Sequence, residues 1–186
     1  PTSLIKIGDK AFQNMGTVAV TGAWPSTLVK VGEDAFKDTD TGAGADLSSV
    51  TSIGRDAFYN AGLTGTLTLA DGLTIIPTNA FRDNTGIDGV VSIPDSVTTI
   101  DAAAFAGTSI QEIHTSSESS LVSIDANAIP NTLRILELPP SLVEEFVKGT
   151  SGVLGDMTGK SIAWVTVRSR GDLSNEQKTS IKDKFP

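Results

Sequence analysis

Few side chains in this sequence have the reach to do acid–base chemistry. The 186 residues include one histidine, His114, and no cysteine. Any Ser-His-Asp relay must therefore run through His114. Thiolate nucleophiles, disulfides and Cys-ligated zinc are excluded. His114 falls on the outward side of an alternating run, Glu112-Ile113-His114-Thr115, with Glu112 on the same face. A surface histidine with no catalytic role is the simpler reading of that placement. No G-x-S-x-G elbow is present.

The remaining candidates are weaker. Gly155-Asp156-Met157-Thr158-Gly159-Lys160-Ser161 imitates a phosphate loop, but it is one residue short. It also precedes a strand, where a phosphate cradle needs a helix N-terminus. Gly42-Ala43-Gly44 lacks the third glycine of a dinucleotide fingerprint. Asp38, Asp40 and Asp46 around Gly42 are a weak calcium candidate without EF-hand spacing, and a solvated acidic loop is the plainer reading. Glu33-Asp34 and Glu144-Glu145 are neighbours in sequence that point in different directions, and both pairs read as solvated surface charge. General acid–base catalysis has no defined constellation here, so the expectation is a non-enzyme without a cofactor or resident metal.

Composition narrows the class further. The chain is 39% hydrophobic and 19% charged, which suits a globular protein. A formal charge of −8 argues against nucleic acid, whose phosphates call for clustered Lys and Arg. No apolar run approaches the roughly 20 residues of a membrane span, so direct membrane insertion is not expected. The chain opens inside a repeat, at Pro1-Thr2-Ser3-Leu4, and reads as a mature fragment of something longer.

The element that positions everything else is a repeat. Ser52-Ile53-Gly54-Arg55-Asp56-Ala57-Phe58 matches Lys6-Ile7-Gly8-Asp9-Lys10-Ala11-Phe12 and Lys30-Val31-Gly32-Glu33-Asp34-Ala35-Phe36. Weaker copies end at Phe81, Phe105 and Ile129, and the last residues of the six copies are separated by 24, 22, 23, 24 and 24. A fixed period in this range marks a solenoid. An apolar residue stands three before each Ile or Val: Leu4, Leu28, Val50, Leu73, Val97 and Leu121. These residues, the Ile/Val positions, the alanines and the Phe positions predict four apolar columns that close only when units stack.

Two residues past each Phe position come Asn14, Asp38, Asn60, Asp83, Gly107 and Asn131, types that tolerate left-handed backbone and predict a turn. Short alternating runs follow, clearest at Thr66–Leu69, Val90–Ile93, Glu112–Thr115 and Ile135–Leu138, which predict one parallel strand per unit. Pro25, Pro94 and Pro139 then end the runs. Repeat two is irregular, with loop composition over residues 38–45. Trp24 aligns with Leu69 and Ile93 and is expected to pack, as is Trp164.

Ile93-Pro94-Asp95-Ser96-Val97-Thr98-Thr99-Ile100 and its copies resemble the BspA-like class of leucine-rich repeats over roughly residues 3–142. The resemblance implies a curved α/β repeat solenoid with short parallel strands on its concave face and turns or 3-10 segments on its convex face. It also implies a bacterial surface or secreted, extracellular protein that binds other macromolecules, a protein or glycan. That family often carries Cys or Asn three past the Phe. This chain has Met15, Thr39, Ala61, Asn84, Thr108 and Thr132 there, so the ladder is expected to be largely missing.

Residues 1–140 are thus read as a solenoid of about six repeats of 22–24 residues, and 141–186 as a C-terminal α+β cap. Ser141-Leu142-Val143-Glu144 and Ser174-Asn175-Glu176-Gln177 are capping boxes that predict short helices, and residues 162–167 read as a strand between them. The N-terminal end has no such cover, so further repeats of a parent chain are a possible neighbour there. Aligning the strands gives one outward row: Ala23, Asp46, Thr68, Ser92, His114 and Glu137, with Glu112 beside it. This row is the expected binding surface. The alternative function is a structural spacer with no ligand of its own.

Overall fold

The computed structural model describes residues 3–139, Leu142 and the backbone of Trp164–Val167. The chain winds as a parallel β-solenoid of about six turns with almost no helix among the described residues. Each turn contributes a two-residue strand, a tight corner at the Phe position and a return strand. The longer return strands are β5 (Gly44–Leu47), β7 (Thr64–Leu69), β9 (Gly86–Ser92), β11 (Ser109–His114), β13 (Ile135–Leu138) and β14 (Trp164–Val167). They form one six-stranded sheet in the spatial order β14-β13-β11-β9-β7-β5. In the first turn, β2 (Gly16–Thr17) pairs instead with β4 (Thr39–Asp40).

Why these residues turn where they do is visible at the Phe corner. The amides of Phe12, Phe36, Phe58, Phe81 and Phe105 donate to the carbonyls of Ala35, Ala57, Ala80, Ala104 and Ala128 in the next turn, at 2.8–3.0 Å. Backbone therefore runs close to backbone at the alanine column, where a larger side chain has no room. The rings stack along the axis, with Phe12–Phe36, Phe36–Phe58, Phe58–Phe81 and Phe81–Phe105 centroids 5.0, 5.6, 5.9 and 5.9 Å apart. Each buried ring stabilises by ~1.5–3 kcal/mol. The first turn differs: Phe12 is only half-buried and Ala11 is exposed, because nothing among the described residues stacks above them.

Left-handed backbone occurs where Asn14, Asp38, Asn60, Asp83 and Gly107 predict it. A second left-handed column, four residues earlier, comprises Lys10, Asp34, Asp56, Asn79 and Ala103. Lys10 and Ala103 give no local sequence sign of this, since their types disfavour the conformation. In the sixth turn the corner is instead a 3-10 helix, Ala126–Ala128, with the Asn127 amide donating to Asp125 Oδ1 at 2.8 Å. Asn131 is accordingly not left-handed.

The two-residue strands divide into two sheets, β1 (Lys6–Ile7)-β3 (Lys30–Val31)-β6 (Ser52–Ile53) and β12 (Ser123–Ile124)-β10 (Thr99–Ile100)-β8 (Ile75–Ile76). The gap has a chemical cause. Gly32, Gly54, Asp101 and Asp125 each donate an amide to the Ile or Val of the preceding turn, at 2.9–3.0 Å. The equivalent residue between β6 and β8 is Pro77, which has no N–H to give Ile53.

Several expectations are corrected. Residues 38–45 are not plain loop: β4 and β5 form there, with Ala43, Ala45 and Leu47 buried and Asp46 and Leu47 in register with Thr68 and Leu69. The position three past Phe is also not an empty ladder. Asn84 is buried, accepts from the Ala61 and Leu63 amides and donates to the Phe58 and Phe81 carbonyls. Thr39 takes the same part by bonding the Met15 amide and Phe12 carbonyl, and Thr108 and Thr132 by donating to carbonyls at 2.8–3.1 Å. A hydroxyl meets the same backbone need as an amide, with fewer bonds.

At the C-terminal end, β14 pairs in parallel with β13, from Ile135↔Trp164 to Leu138↔Val167, as the strand reading of 162–167 predicts. Leu142 is buried with the core. The two predicted helices, the phosphate-loop lookalike, Glu144-Glu145 and the side chain of Trp164 lie outside the described residues. No helix among the described residues is long and apolar enough to cross a membrane.

Candidate functional site

In the last residues of β7, β9 and β11 the long-strand sheet alternates between core and outer face, after a register irregularity between Ile110 and Glu112. Leu67, Leu69, Val91, Ile113, Leu136 and Leu138 point inward and are buried, so their neighbours must face out. Register places Asp46 beside Thr68 and Ser92 beside His114. Glu137 continues the row and has Thr166 of β14 on its other side. Ala23 belongs to no strand. Thr68 and Ser92 are exposed, His114 is half-buried, and Glu137 retains only 9% exposure. That burial departs from a fully solvated row, because β14 lies alongside β13 and screens Glu137.

A second outward row runs two residues earlier, through Thr66, Val90, Glu112 and Ile135; Glu112 is in register with both Val90 and Ile135. The period-2 pattern that picks out Thr68, Ser92 and His114 also contains this row, two positions back. A groove of about 720 Å³ runs over β7, β9 and the end of β11 and on past the ends of these strands, bordered by Thr66, Thr68, Val90, Ser92 and His114. Asp71 and Asp95, three residues past Thr68 and Ser92, stand at its rim. Their shared offset from the strands is the sequence signal for them.

His114 sits between two carboxylates. Its Nε2 lies 2.9 Å from Glu112 Oε2 and its Nδ1 3.5 Å from Glu137 Oε2. Both ring nitrogens are therefore directed at carboxylates. A general base needs one nitrogen turned toward the nucleophile's hydroxyl. Ser92, the register neighbour of His114, is not so engaged. This arrangement orients an imidazole and holds charge; it does not assemble a nucleophile.

The other candidates separate in space. Asp38 accepts from Asn60 Nδ2 at 3.0 Å, Asp40 from the Gly42 amide at 3.2 Å and Asp46 from the Ser48 amide at 3.1 Å. Among the described residues no group of three His, Asp or Glu converges to hold a metal ion. The Glu33-Asp34 reading is half corrected. Glu33 is exposed, but Asp34 is buried at the Phe corner, 3.4 Å from Lys37 Nζ. Lys37 also reaches Asp56 at 3.6 Å and lies over the Tyr59 ring. Burial works to lower the Lys37 pKa, but the Asp56 and Asp34 carboxylates outweigh it and hold the ammonium above its ordinary value.

Trp24 packs as its alignment predicts. It is half-buried, edge-on to Phe36 and Phe58 at 5.3 and 5.9 Å, and its Nε1 donates to the Gly44 carbonyl at 2.9 Å.

Comparison with known families agrees with this architecture. No curated protein matches the chain. The family model of the BspA type leucine rich repeat region matches in six copies across residues 5–135, the same six turns that the Phe stack and the strand register define. By repeat length, column pattern and this match over most of its length, the chain belongs to the BspA-type leucine-rich repeat family, whose repeats serve as protein-interaction modules.

Proposed function

We propose that the protein is a non-enzymatic binding module of a bacterial cell-surface or secreted protein, acting in adhesion or protein binding. It takes a protein or glycan ligand on the long-strand face, the inner side of a curved solenoid. The observation that carries this reading is the groove bounded by Thr68, Ser92 and His114 on the long-strand sheet, where Thr68 and Ser92 are small. Small residues leave a floor on which a partner can lie, while Glu112, His114 and Glu137 crowd one end with polar groups. Introducing Thr68→Arg, Ser92→Arg and His114→Arg together should abolish binding in a protein or glycan array and leave the melting profile nearly unchanged. Normal binding by that triple variant would move the contact to another face.

A specific observation favours a second reading, the structural spacer. At the N-terminal end Leu4, Phe12, Val20 and Trp24 border an apolar recess of about 500 Å³. A further coil of the same kind would fit there and continue the Phe stack. Under this reading the triple variant changes nothing, and a consensus coil fused before residue 1 raises the melting temperature.

A further inference from the structure

Charge is distributed unevenly over the fold. Within residues 3–139 every Lys and Arg lies outside the long strands: Lys6, Lys10, Lys30, Lys37, Arg55, Arg82 and, just before β13, Arg134. Most of those near the Phe corner have carboxylate neighbours. Lys37 contacts Asp34 and Asp56, Arg55 contacts Asp56 at 3.1 Å, and Arg82 contacts Asp83 at 3.4 Å. Strands β5, β7, β9, β11 and β13, by contrast, carry Asp46, Asp88, Glu112 and Glu137, and Asp71 and Asp95 stand at the groove rim. His114 lies within this set, its Nε2 facing Glu112 and its Nδ1 facing Glu137. A sheet face carrying one sign of charge concentrates ligands of the other.

We infer that the partner on the long-strand face is an extended, basic polypeptide segment carrying two cationic side chains about four residues apart, an inference that rests on that face being the binding surface. The spacing follows from the strands. Asp46 on β5 and Glu112 on β11 are three strand steps apart, roughly 14 Å at ~4.8 Å each, and Glu112 stands two residues back along its strand, which brings the separation to roughly 16 Å. An extended chain crossing the stack covers about 13 Å in four residues, residues i and i+4 point to the same side, and the reach of two long cationic side chains spans the remainder. One cationic group then meets Asp46 and the other meets Glu112 at the His114 end. Between them Thr68 and Ser92 offer hydroxyls to the backbone of the segment, and Val90, 40% exposed, offers an apolar contact. A second copy of this chain is disfavoured as occupant, because the same face would set carboxylates against carboxylates.

The test uses a labelled peptide with two lysines separated by three Ser or Thr residues, together with matched glutamine and glutamate versions, read by fluorescence anisotropy. The lysine peptide should bind the protein and the glutamate peptide should not. The double variant Asp46→Asn/Glu112→Gln should weaken lysine-peptide binding at least about tenfold, and salt at about 0.5 M should abolish it. Thr68→Trp/Ser92→Trp, which fills the groove without changing charge, should also abolish it. Equal binding of lysine and glutamine peptides, lost only in the Trp variant, would keep the face and overturn the basic-partner inference. Glycan-array hits lost in the Trp variant, with no lysine-peptide binding, would overturn it in favour of a glycan. Lysine-peptide binding unchanged in both variants would overturn both the inference and the face.

Discussion

Phe58 lies flat against Phe81, with ring centroids 5.9 Å apart and planes 7° from parallel. The contact joins residues 23 apart in sequence, one full turn of the coil, and both rings are wholly buried. Phe58 has Phe36 stacked on its other side and Trp24 edge-on, so its removal leaves a cavity walled by rigid neighbours. Phe58→Ala should therefore cost ~3–5 kcal/mol. Phe12→Ala, at a half-buried ring with a stacked neighbour on one side, should cost less. Urea melts of the two variants decide it, and small, equal losses would contradict axial stacking as the main source of stability.

Asn84 supplies four bonds to buried backbone, on Phe58, Ala61, Leu63 and Phe81. Asn84→Leu strands those groups, each at a cost of ~1–3 kcal/mol where no water reaches it. Asn84→Thr, which copies Thr39 and Thr108, should recover part of the loss. Chemical denaturation of both variants reads the difference, and equal stability of Leu and Thr at this position would show that the bonds contribute little.

Gly54 marks a close approach of two turns: a Cβ there would lie 2.4 Å from the Glu33 amide nitrogen. Gly8, the equivalent residue in the first turn, has nothing within 4 Å. Gly54→Ala should destabilise by about 2–3 kcal/mol while Gly8→Ala stays within about 0.5 kcal/mol. Thermal melts separate the two, and equal effects would place the cause in glycine's flexibility instead of the contact between turns.

The proposed cap can be tested by truncation. Ending the chain after Pro140 removes the four-residue pairing of β14 with β13 and the buried Leu142. The bared edge of β13 then becomes a template for other chains, and the truncated protein should aggregate or lose cooperativity. A monomeric, equally stable truncation in light scattering and thermal melts would make residues 141–186 a separate segment.

Lys37 gives a pH dependence with a definite sign. Its folded pKa lies above the unfolded value of 10.5, so its contribution is fully present below pH 10.5 and is lost as pH rises through the folded value. The stability gap between the protein and Lys37→Met should hold steady from about pH 8 to 9.5 and shrink above about 10.5. A gap that widens at high pH would contradict the ion pairs with Asp34 and Asp56.

Much of the architecture is legible in the sequence because a solenoid contacts only its neighbours, so each contact recurs at one sequence separation. The Leu, Ile/Val, Ala and Phe columns, the left-handed Asn and Asp past each Phe, and the alternating strands are all such repeats. The outward direction of Thr68, Ser92 and His114 follows as well, since buried neighbours on either side set the pleat. What the tertiary structure decided involves groups whose roles depend on distance across turns. Asp34 looks like solvated charge until Lys37 is seen reaching both it and Asp56. Lys10 and Ala103 adopt left-handed backbone because stacking imposes it against their own preference. Pro77 divides the short-strand ladder only because Ile53 waits for an amide on the adjacent turn. Glu112 and Glu137 come to flank His114 from the same strand and from the next one, 23 residues on. Sequence types and spacing determine which residues form columns; only the stacked coil determines which side chains in neighbouring columns meet.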